Sequence, residues 1–368
     1  MTDEAGYLLV ISSFSADAST TLYFGNAIER GAPPMRIAQM GDPALPALMA
    51  GAAALILVRG LVEFEVIVRC AQALSVPLYY FIDDNFMLLQ RAGVALGPDR
   101  PDYSVDNVRR ILGGVCGVLA SSPALVRFFS DAGLHQSVDY YPPIHNPPGQ
   151  RPQCPGHSSL RIAFLGGRHL HGMLAGLLVP AAQRLARRRP VTLVTLGVGD
   201  EPMPPGALQV ERHDYEPSYR RAVERLAERG VDVLAHPVAP DLDNNIFKTP
   251  HALITADGLG AVPAVSNRPP YGEIGALGIA TCCDDTIDAW CEGLGAAADG
   301  RDSIRPRLNA YCERRFGGAD NLRVLAGFAE RHVPPDPVQH ARRTARVRRL
   351  LFADRVRRRL KRVATILR

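Results

Sequence analysis

Short apolar runs alternate with amphipathic stretches along most of the chain, and this alternation constrains the fold more than any other feature. The runs are continuous rather than apolar at every second residue, which is typical of strands buried on both faces of a parallel sheet. Helix-like stretches separate them, as at Val62–Leu74. The pattern predicts the α/β class. The predicted strands of the first half are Tyr7–Ser13, Met35–Met40, Ala54–Val58, Pro77–Ile82 and Val115–Ala120.

A proline-rich, aperiodic segment at Pro142–His157 interrupts the pattern, which then restarts with strands such as Leu160–Leu165 and Val191–Leu196. A chain of 368 residues suits two domains of ordinary size. We expect an N-terminal Rossmann-like domain at 1–145, a C-terminal one at 158–335, and a basic amphipathic helix at 336–368.

Composition excludes several classes of protein. A hydrophobic content of 47% and a charged content of 21% are those of a soluble globular chain. No apolar run approaches the roughly 20 residues of a membrane span. The first residues carry acids where a secretory signal has bases, so a cytoplasmic location is expected. The seven cysteines form no CxxC pair, which favours reduced thiols over a zinc site.

Charge is divided unevenly along the chain. From Gln339 to Arg368 there are twelve Lys or Arg residues and one acid, a net charge of +11, so the total of +5 leaves −6 on the rest. Apolar residues recur in this tail on one helical stripe. Such a helix either lies peripherally on an anionic membrane surface or docks on the body of the protein. Nucleic acid is not an expected partner, because the body is acidic and lacks an aromatic–basic recognition pattern.

Two groups of polar residues follow predicted strands, where α/β proteins bind their ligands. Asp83 and Asp84 end one strand, and they either contact a sugar hydroxyl, act as a base or cap a helix. The turn Gly166–Gly167 ends another and precedes Arg168 and His169. Glycines let a backbone approach a phosphate, and the guanidinium of Arg168 could make a bidentate contact with the same phosphate. The alternative is an ordinary tight turn, since two glycines alone are weak evidence of a site.

The stretch Asp241–Tyr271 contains Lys248 in an otherwise arginine-rich chain. Pro250 predicts a helix that starts near Lys248, and Val262–Val265 predicts the strand that follows it. A helix N-terminus with a cation beside a strand end is a natural cradle for a diphosphate. The alternative is an ordinary helix–strand connection with a solvated lysine.

The order and spacing of these motifs, over about residues 7 to 300, resemble the retaining bacterial nucleotide-sugar-dependent (group 1 type) glycosyltransferases of the GT-B fold. No single motif is specific. The matching segments are FIDDNF at Phe81–Phe86, VLASSPAL at Val118–Leu125, RIAFLGGRH at Arg161–His169, VDVLAHPV at Val231–Val238, Asn245–Lys248, and GAVPAVSNRPPY at Gly260–Tyr271.

The resemblance implies two Rossmann-like domains that face each other across a cleft, and transfer of a hexosyl group from a nucleoside-diphosphate sugar to a hydroxyl acceptor with retention. The acceptor would be a saccharide or lipid-linked, as in bacterial cell-envelope polysaccharide or lipopolysaccharide synthesis, with no metal and no cofactor. Asp83, Asp84 and Lys248 would be catalytic. The residues that bind the nucleotide-sugar donor would be Gly166, Gly167, Arg168, His169, Asn245, Asp257 and Tyr271.

One position departs from the family pattern. Its usual ribose-binding glutamate falls on Ala256 when aligned back from Pro263, with Asp257 beside it, and on Thr255 when counted forward from Lys248. We expect Asp257 to take over the ribose contact with a shorter reach. The other hypotheses are a non-catalytic GT-B relative that acts as a partner or scaffold, and a nucleotide-sugar epimerase.

Overall fold

The computed structural model describes residues 6–60, 64–94, 102–146, 158–167, 170–198, 208–240, 243–329 and 335–366. The chain forms two compact units. The first contains Met1–Ser15, Leu22–Pro142 and Gly318–Arg368, and the second contains Ala16–Thr21 and Pro143–Gly317. The boundary expected at residue 335 differs from the observed return to the first unit at Gly318.

The described residues of each unit form a six-stranded, all-parallel sheet, so the predicted α/β class is confirmed. The first has the order β2-β1-β3-β4-β5-β6, with β1 (Tyr7–Ser12), β2 (Met35–Gln39), β3 (Ala52–Val58), β4 (Leu78–Ile82), β5 (Gly117–Ala120) and β6 (Val138–Tyr140). The second has the order β12-β11-β10-β7-β8-β9, with β7 (Leu160–Leu165), β8 (Val191–Leu196), β9 (Gln209–His213), β10 (Val233–His236), β11 (Val262–Ser266) and β12 (Thr281–Cys283).

Helices connect the strands and cover the sheets. In chain order they are α1 (Ala18–Thr20), α2 (Asn26–Glu29), α3 (Leu45–Gly51), α4 (Phe64–Leu74), α5 (Phe86–Arg91), α6 (Val105–Leu112), α7 (Pro123–Asp131), α8 (His171–Met173), α9 (Val179–Ala186), α10 (Tyr219–Ala227), α11 (His251–Leu259), α12 (Ile287–Asp299), α13 (Arg301–Phe316), α14 (Ala319–Ala329) and α15 (Pro337–Ile366). π-helical turns join α1 to α2 and α8 to α9.

Three strands of the sheets were not predicted. β6, β9 and β12 each lie at the edge of a sheet, and their residues are mostly half-buried or exposed. An edge strand is not buried on both faces along its whole length, so it lacks the continuous apolar run that marks the interior strands.

The last two helices belong to the first unit. The ring of Phe328 on α14 stacks on that of Tyr79 on β4, with centroids 3.7 Å apart. Helix α15 packs against α3 and α4, and Val347 is fully buried there. In the part of the chain that the structure describes, no helix combines the length and the apolar character needed to cross a bilayer.

The core of the second unit lies between its sheet and helices α9 and α12, and Trp290 on α12 is its largest fully buried side chain. The register brings strand ends together at one edge. Leu165 of β7 is paired with Leu196 of β8, and Ile162 of β7 with Val233 of β10. The loops after these three strands therefore meet at the same edge of the sheet.

Candidate functional site

A cavity of about 190 Å³ opens at this carboxyl edge of the second sheet. Its floor is made by the ends of β7, β8 and β10, and its walls by the first turns of α10 and α11. Open α/β sheets bind their ligands at such an edge. The lining residues are Asp17, Ala18, Leu165, Gly166, Gly167, Leu196, Tyr215, Glu216, Pro217, Tyr219, Ala222, Leu234, His236, His251, Ala252 and Thr255.

The glycines beside the cavity are required by close packing. A Cβ on Gly166 would lie 2.8 Å from Leu170 Cδ1 and 3.1 Å from the Phe164 ring. Gly197, just after β8, has a φ of +93°, and a Cβ there would lie 2.6 Å from the carbonyl oxygen of Gly166. The structure places Gly166 and Gly167 in the cavity lining, whereas Arg168 and His169 lie outside the described residues.

Replacing Gly197 by alanine should lower the free energy of unfolding by about 1–3 kcal/mol, because the added Cβ meets a backbone oxygen and the φ is unfavourable for an L side chain. Gly172 on α8 is the matched control, since nothing lies within 4 Å of a Cβ built there. Gly172→Ala should be neutral or stabilising by up to about 1 kcal/mol. Denaturant unfolding of both variants checks this, and equal stabilities would contradict it.

Lys248 is not among the residues that line the cavity, but its charge is close enough to lower the pKa of the His236 imidazole, which does line it. Lys248 follows a 3-10 helix at Asp243–Phe247, in which Asn245 Nδ2 donates to the carbonyl of Ala239 at 2.6 Å. Asn245 is buried and is not a lining residue, so the structure shows it holding the loop that carries Lys248.

The first amides of α11 are bonded within the unit. The N–H of His251 donates to Thr249 O at 2.8 Å, that of Leu253 to Pro250 O at 3.1 Å, and that of Ala252 to the Tyr271 hydroxyl at 3.3 Å. A diphosphate cradle made from this helix end was expected, but these donors are already engaged. Phosphate binding here therefore depends on side-chain cations more than on amides.

Tyr271 is almost fully buried, and its hydroxyl caps α11. Its ring packs edge-on against His236, with centroids 5.7 Å apart. Burial raises the pKa of the Tyr271 hydroxyl above its usual range. Tyr271 is not in the cavity lining, but it contacts two lining residues, His236 and Ala252.

His236 and His251 form an aromatic pair at the cavity, with ring centroids 5.1 Å apart and nearly perpendicular planes. Burial, then the neighbouring His251 and then the charge of Lys248, hold the pKa of His236 well below its usual value. The imidazole is therefore neutral near pH 7, with one ring nitrogen that donates and one that accepts.

This depressed pKa predicts a pH dependence of stability. The folded chain binds the His236 proton less well than the unfolded chain, so stability should be level above about pH 7.5 and should fall as the pH drops through 6.5. His236→Gln removes the titrating group, and that variant should lose less stability on acidification. Denaturant unfolding at pH 5.5 and 7.5 measures the difference, and identical losses would contradict the prediction.

Thr255 lines the cavity one helical turn after His251. Its hydroxyl donates to His251 O at 3.1 Å and lies 2.7 Å from the Tyr219 hydroxyl. Burial raises the pKa of Tyr219 to about 12, against the opposing effect of the bond with Thr255. The structure thus puts a pair of neutral hydroxyls at the place counted forward from Lys248.

Asp257 is turned away from the cavity. Its Oδ2 accepts from His145 Nε2 at 2.8 Å and from Asn309 Nδ2 at 3.4 Å, and it is 4% exposed. His145 Nδ1 also lies 3.2 Å from Glu313 Oε1. Asp257 does not line the cavity whereas Thr255 does, because two residues along a helix are about 200° apart in direction. Thr255 and Asp257 therefore face different surroundings.

Two carboxylates in the lining were missed by the sequence reasoning. Asp17 Oδ1 caps α1 by accepting from the N–H of Thr20 at 2.8 Å. Glu216 accepts from the N–H of Ser218 at 3.1 Å and pairs with Arg225 at 3.1 Å. Acids just before a predicted helix start are the available signal, but they are common enough that they do not single out a site.

Asp83 and Asp84 follow β4 in the first unit, and Arg59 holds both. Its Nε lies 3.1 Å from Asp83 Oδ1 and its Nη2 lies 3.0 Å from Asp84 Oδ2. The guanidinium also lies 5.2 Å from the centre of the Phe86 ring. Arg59 has a φ of +63°, an unusual conformation that the Tyr80 hydroxyl supports by donating to its carbonyl.

The helix cap in this segment is supplied by Asn85, whose Oδ1 accepts from the N–H of Leu88 at 3.2 Å. The capping role considered for Asp83 and Asp84 is thus filled by their neighbour. Arg59 orients both carboxylates, and its single positive charge offsets part of their negative charge.

No protein-family model matches the chain, and no curated protein is similar to it in sequence. Solved structures are similar in fold. Anabaena HepE in complex with UDP-glucose is 12% identical with a TM-score of 0.55, covering 87% of this chain and 98% of its own. A UDP-forming α,α-trehalose-phosphate synthase from Burkholderia xenovorans is 12% identical with a TM-score of 0.55, covering 89% and 99%.

An α-glucosyltransferase in complex with UDP and a 13-mer DNA that contains an HMU base is 8% identical, with a TM-score of 0.58, covering 88% of this chain and 99% of its own. These neighbours share the GT-B fold, which confirms the fold expected from the sequence. Identities this low concern the fold alone.

Proposed function

We propose that the chain is a glycosyltransferase that moves a hexosyl group from a nucleoside-diphosphate sugar to a hydroxyl acceptor. The observation that carries the proposal is the cavity at the carboxyl edge of the second sheet, with the Gly166–Gly167 turn and His236 in its lining. Lys248 lies outside the lining, near enough for its charge to act on His236. Support comes from the fold, which HepE bound to UDP-glucose also has.

In this proposal the diphosphate lies near Lys248. The bond between the anomeric carbon and the diphosphate oxygen breaks, a bond to the acceptor oxygen forms, and the hydroxyl proton of the acceptor passes to the departing diphosphate. Negative charge grows on the departing diphosphate, and a cation held close to it stabilises the transition state. The neutral imidazole of His236 adds a donor that needs no proton uptake.

The nucleoside is proposed to occupy the part of the cavity between Thr255 and Tyr215. The paired hydroxyls of Tyr219 and Thr255 offer hydrogen bonds to a ribose, in place of the carboxylate of the family. Tyr215 is an exposed aromatic residue in the lining, and its ring offers a surface on which a base stacks.

The acceptor is proposed to bind on the first unit, at Asp83 and Asp84. Both carboxylates are already aligned by Arg59, so they are prepared to orient a sugar hydroxyl. We propose a saccharide or lipid-linked acceptor in bacterial cell-envelope polysaccharide synthesis on the cytoplasmic side, and retention of configuration, from the resemblance to the group 1 type enzymes.

A screen of nucleotides tests the proposal. UDP, GDP and dTDP are added to the intact chain, and the unfolding temperature is measured with each. At least one should stabilise the chain, and the corresponding nucleotide sugar should release its diphosphate when a saccharide acceptor is supplied. Stabilisation by none of the three would overturn the proposal.

A non-catalytic relative is the second candidate, and one observation favours it. Thr255 rather than a carboxylate lines the cavity at the place counted from Lys248. Nucleotide binding without turnover of any nucleotide sugar, tested with several acceptors, would indicate that role. Conversion of the nucleotide sugar without an acceptor would instead indicate an epimerase.

A further inference from the structure

We infer that the outward face of α15 is a docking surface for an anionic lipid bilayer. This helix has two faces of different character, and only the inner one is used by the first unit. The inference uses α15 alone and is independent of the proposed glycosyltransferase activity.

The inner face fixes how the helix is turned. Val347 is fully buried, and Arg346 Nη1 donates to the carbonyl of Ala73 at 2.9 Å. Asp354 is buried and pairs with Arg69 at 3.3 Å and with Arg358 at 2.8 Å. These contacts come from α4 and from α15 itself, so the opposite side of α15 is directed to solvent.

The outward face carries an apolar ridge. Phe352 is 68% exposed, Val356 39% and Leu360 66%. Their spacing of four residues places them above one another on a single side, over about 12 Å of helix. Val347 and Asp354 lie about 140–160° around the helix from Phe352 at 100° per residue, which explains why one set is buried and the other exposed.

The charge on this face is of one sign. Asp354 is the one acid between Gln339 and Arg368, and it is buried on the inner face. Cationic side chains of α15 border the ridge, and the acid that α4 adds nearby, Glu65, pairs with Arg357 at 3.3 Å. The exposed arginines along the ridge and its flanks include Arg348, Arg349, Arg355 and Arg359.

An apolar ridge within a cationic border is complementary to the boundary between lipid headgroups and acyl chains. The ridge would enter the acyl boundary while the guanidinium groups remain among the phosphates. A second copy would set these arginines against one another, which is unfavourable. A nucleic acid would satisfy the arginines but would leave Phe352 and Leu360 in water.

The experiment is sedimentation of the intact chain with lipid vesicles. Binding should require phosphatidylglycerol, should be absent with phosphatidylcholine alone, and should weaken as salt is added. Arg355→Gln with Arg359→Gln should weaken partition roughly 30-fold, at about 1 kcal/mol for each basic residue. Phe352→Ser with Leu360→Ser should weaken it at least about tenfold.

The matched control removes two exposed arginines from the second unit, by Arg187→Gln with Arg221→Gln, and should leave partition unchanged. Far-UV circular dichroism and the unfolding temperature verify that each variant is folded. Failure of the native chain to bind phosphatidylglycerol vesicles, or equal losses in control and α15 variants, would overturn the inference.

Two further outcomes would also overturn it. The first uses duplex DNA as a second probe. If the chain bound DNA but not vesicles, and the serine variants bound DNA equally well, the face would be assigned to nucleic acid. Self-association that the serine variants abolish, again without vesicle binding, would assign it to a second copy of the chain.

Discussion

Replacing Lys248 by alanine should lower kcat/KM for the nucleotide sugar by about 10²–10³-fold, the cost of losing one preorganised group that stabilises the charge of a leaving group. The amides at the start of α11 are bonded within the unit and are poorly placed to compensate. The affinity for the free nucleoside diphosphate should fall by about 1.5–3 kcal/mol, as for a hydrogen bond to a charged group.

Three measurements make this prediction specific. Affinity for the nucleoside without phosphate should not change, because Lys248 is assigned to the diphosphate. Lys248→Arg keeps the charge with a different geometry, so its loss should be smaller than that of the alanine variant. Equal affinities of the native chain and Lys248→Ala for the diphosphate would remove Lys248 from the site.

Replacing Asp257 by alanine should lower the free energy of unfolding by about 1–3 kcal/mol, the cost of removing a buried hydrogen-bond acceptor from its donor. His145 is 1% exposed and would lose its contact with Asp257 Oδ2 at 2.8 Å. Asp257→Asn keeps the shape and a hydrogen-bonding oxygen, so it should cost less. Denaturant unfolding of the two variants provides the comparison.

Variants of Thr255 and Asp257 separate effects on nucleotide binding from effects on the stability of the fold. Thr255→Val preserves shape and removes the hydroxyl in the cavity, so it should weaken nucleotide binding about fivefold, or about 1 kcal/mol, with little change in stability. Asp257→Asn should change stability and leave binding intact. A tenfold loss of nucleotide affinity in Asp257→Asn, with Thr255→Val unaffected, would restore Asp257 to the ribose contact expected from the sequence.

The interior strands were predictable because each is a continuous apolar run, and so was the position of the Gly166–Gly167 turn directly after β7. The sequence did not decide whether Thr255 or Asp257 takes the place of the ribose-binding glutamate. Counting forward from Lys248 gives Thr255, and counting back from Pro263 gives Ala256, beside Asp257. Only the direction in which each side chain leaves α11 decides between them. Capping by the Tyr271 hydroxyl was equally invisible, because it depends on how the loop after β11 folds back on the helix.

The pairing of Arg59 with Asp83 and Asp84 illustrates a second limit. Arg59 ends one strand and the aspartates end the next, 24 and 25 residues further on. Sequence patterns indicate which residues reach the edge of a sheet but not which side chains meet there. From the sequence alone, Asp83 and Asp84 could act as a base, contact a sugar hydroxyl or cap a helix. Their pairing with Arg59 favours contact with a hydroxyl.

The first unit is assembled from segments on both sides of the second, and this has a consequence for synthesis on the ribosome. Phe328 and Val347 complete its packing, yet they are translated only after the whole of the second unit. Part of the apolar surface of the nascent first unit is therefore exposed to water until about fifty residues after Gly317 emerge from the ribosome. A premature stop codon after Gly317 would damage the amino-terminal sheet, although every residue of that sheet would be present.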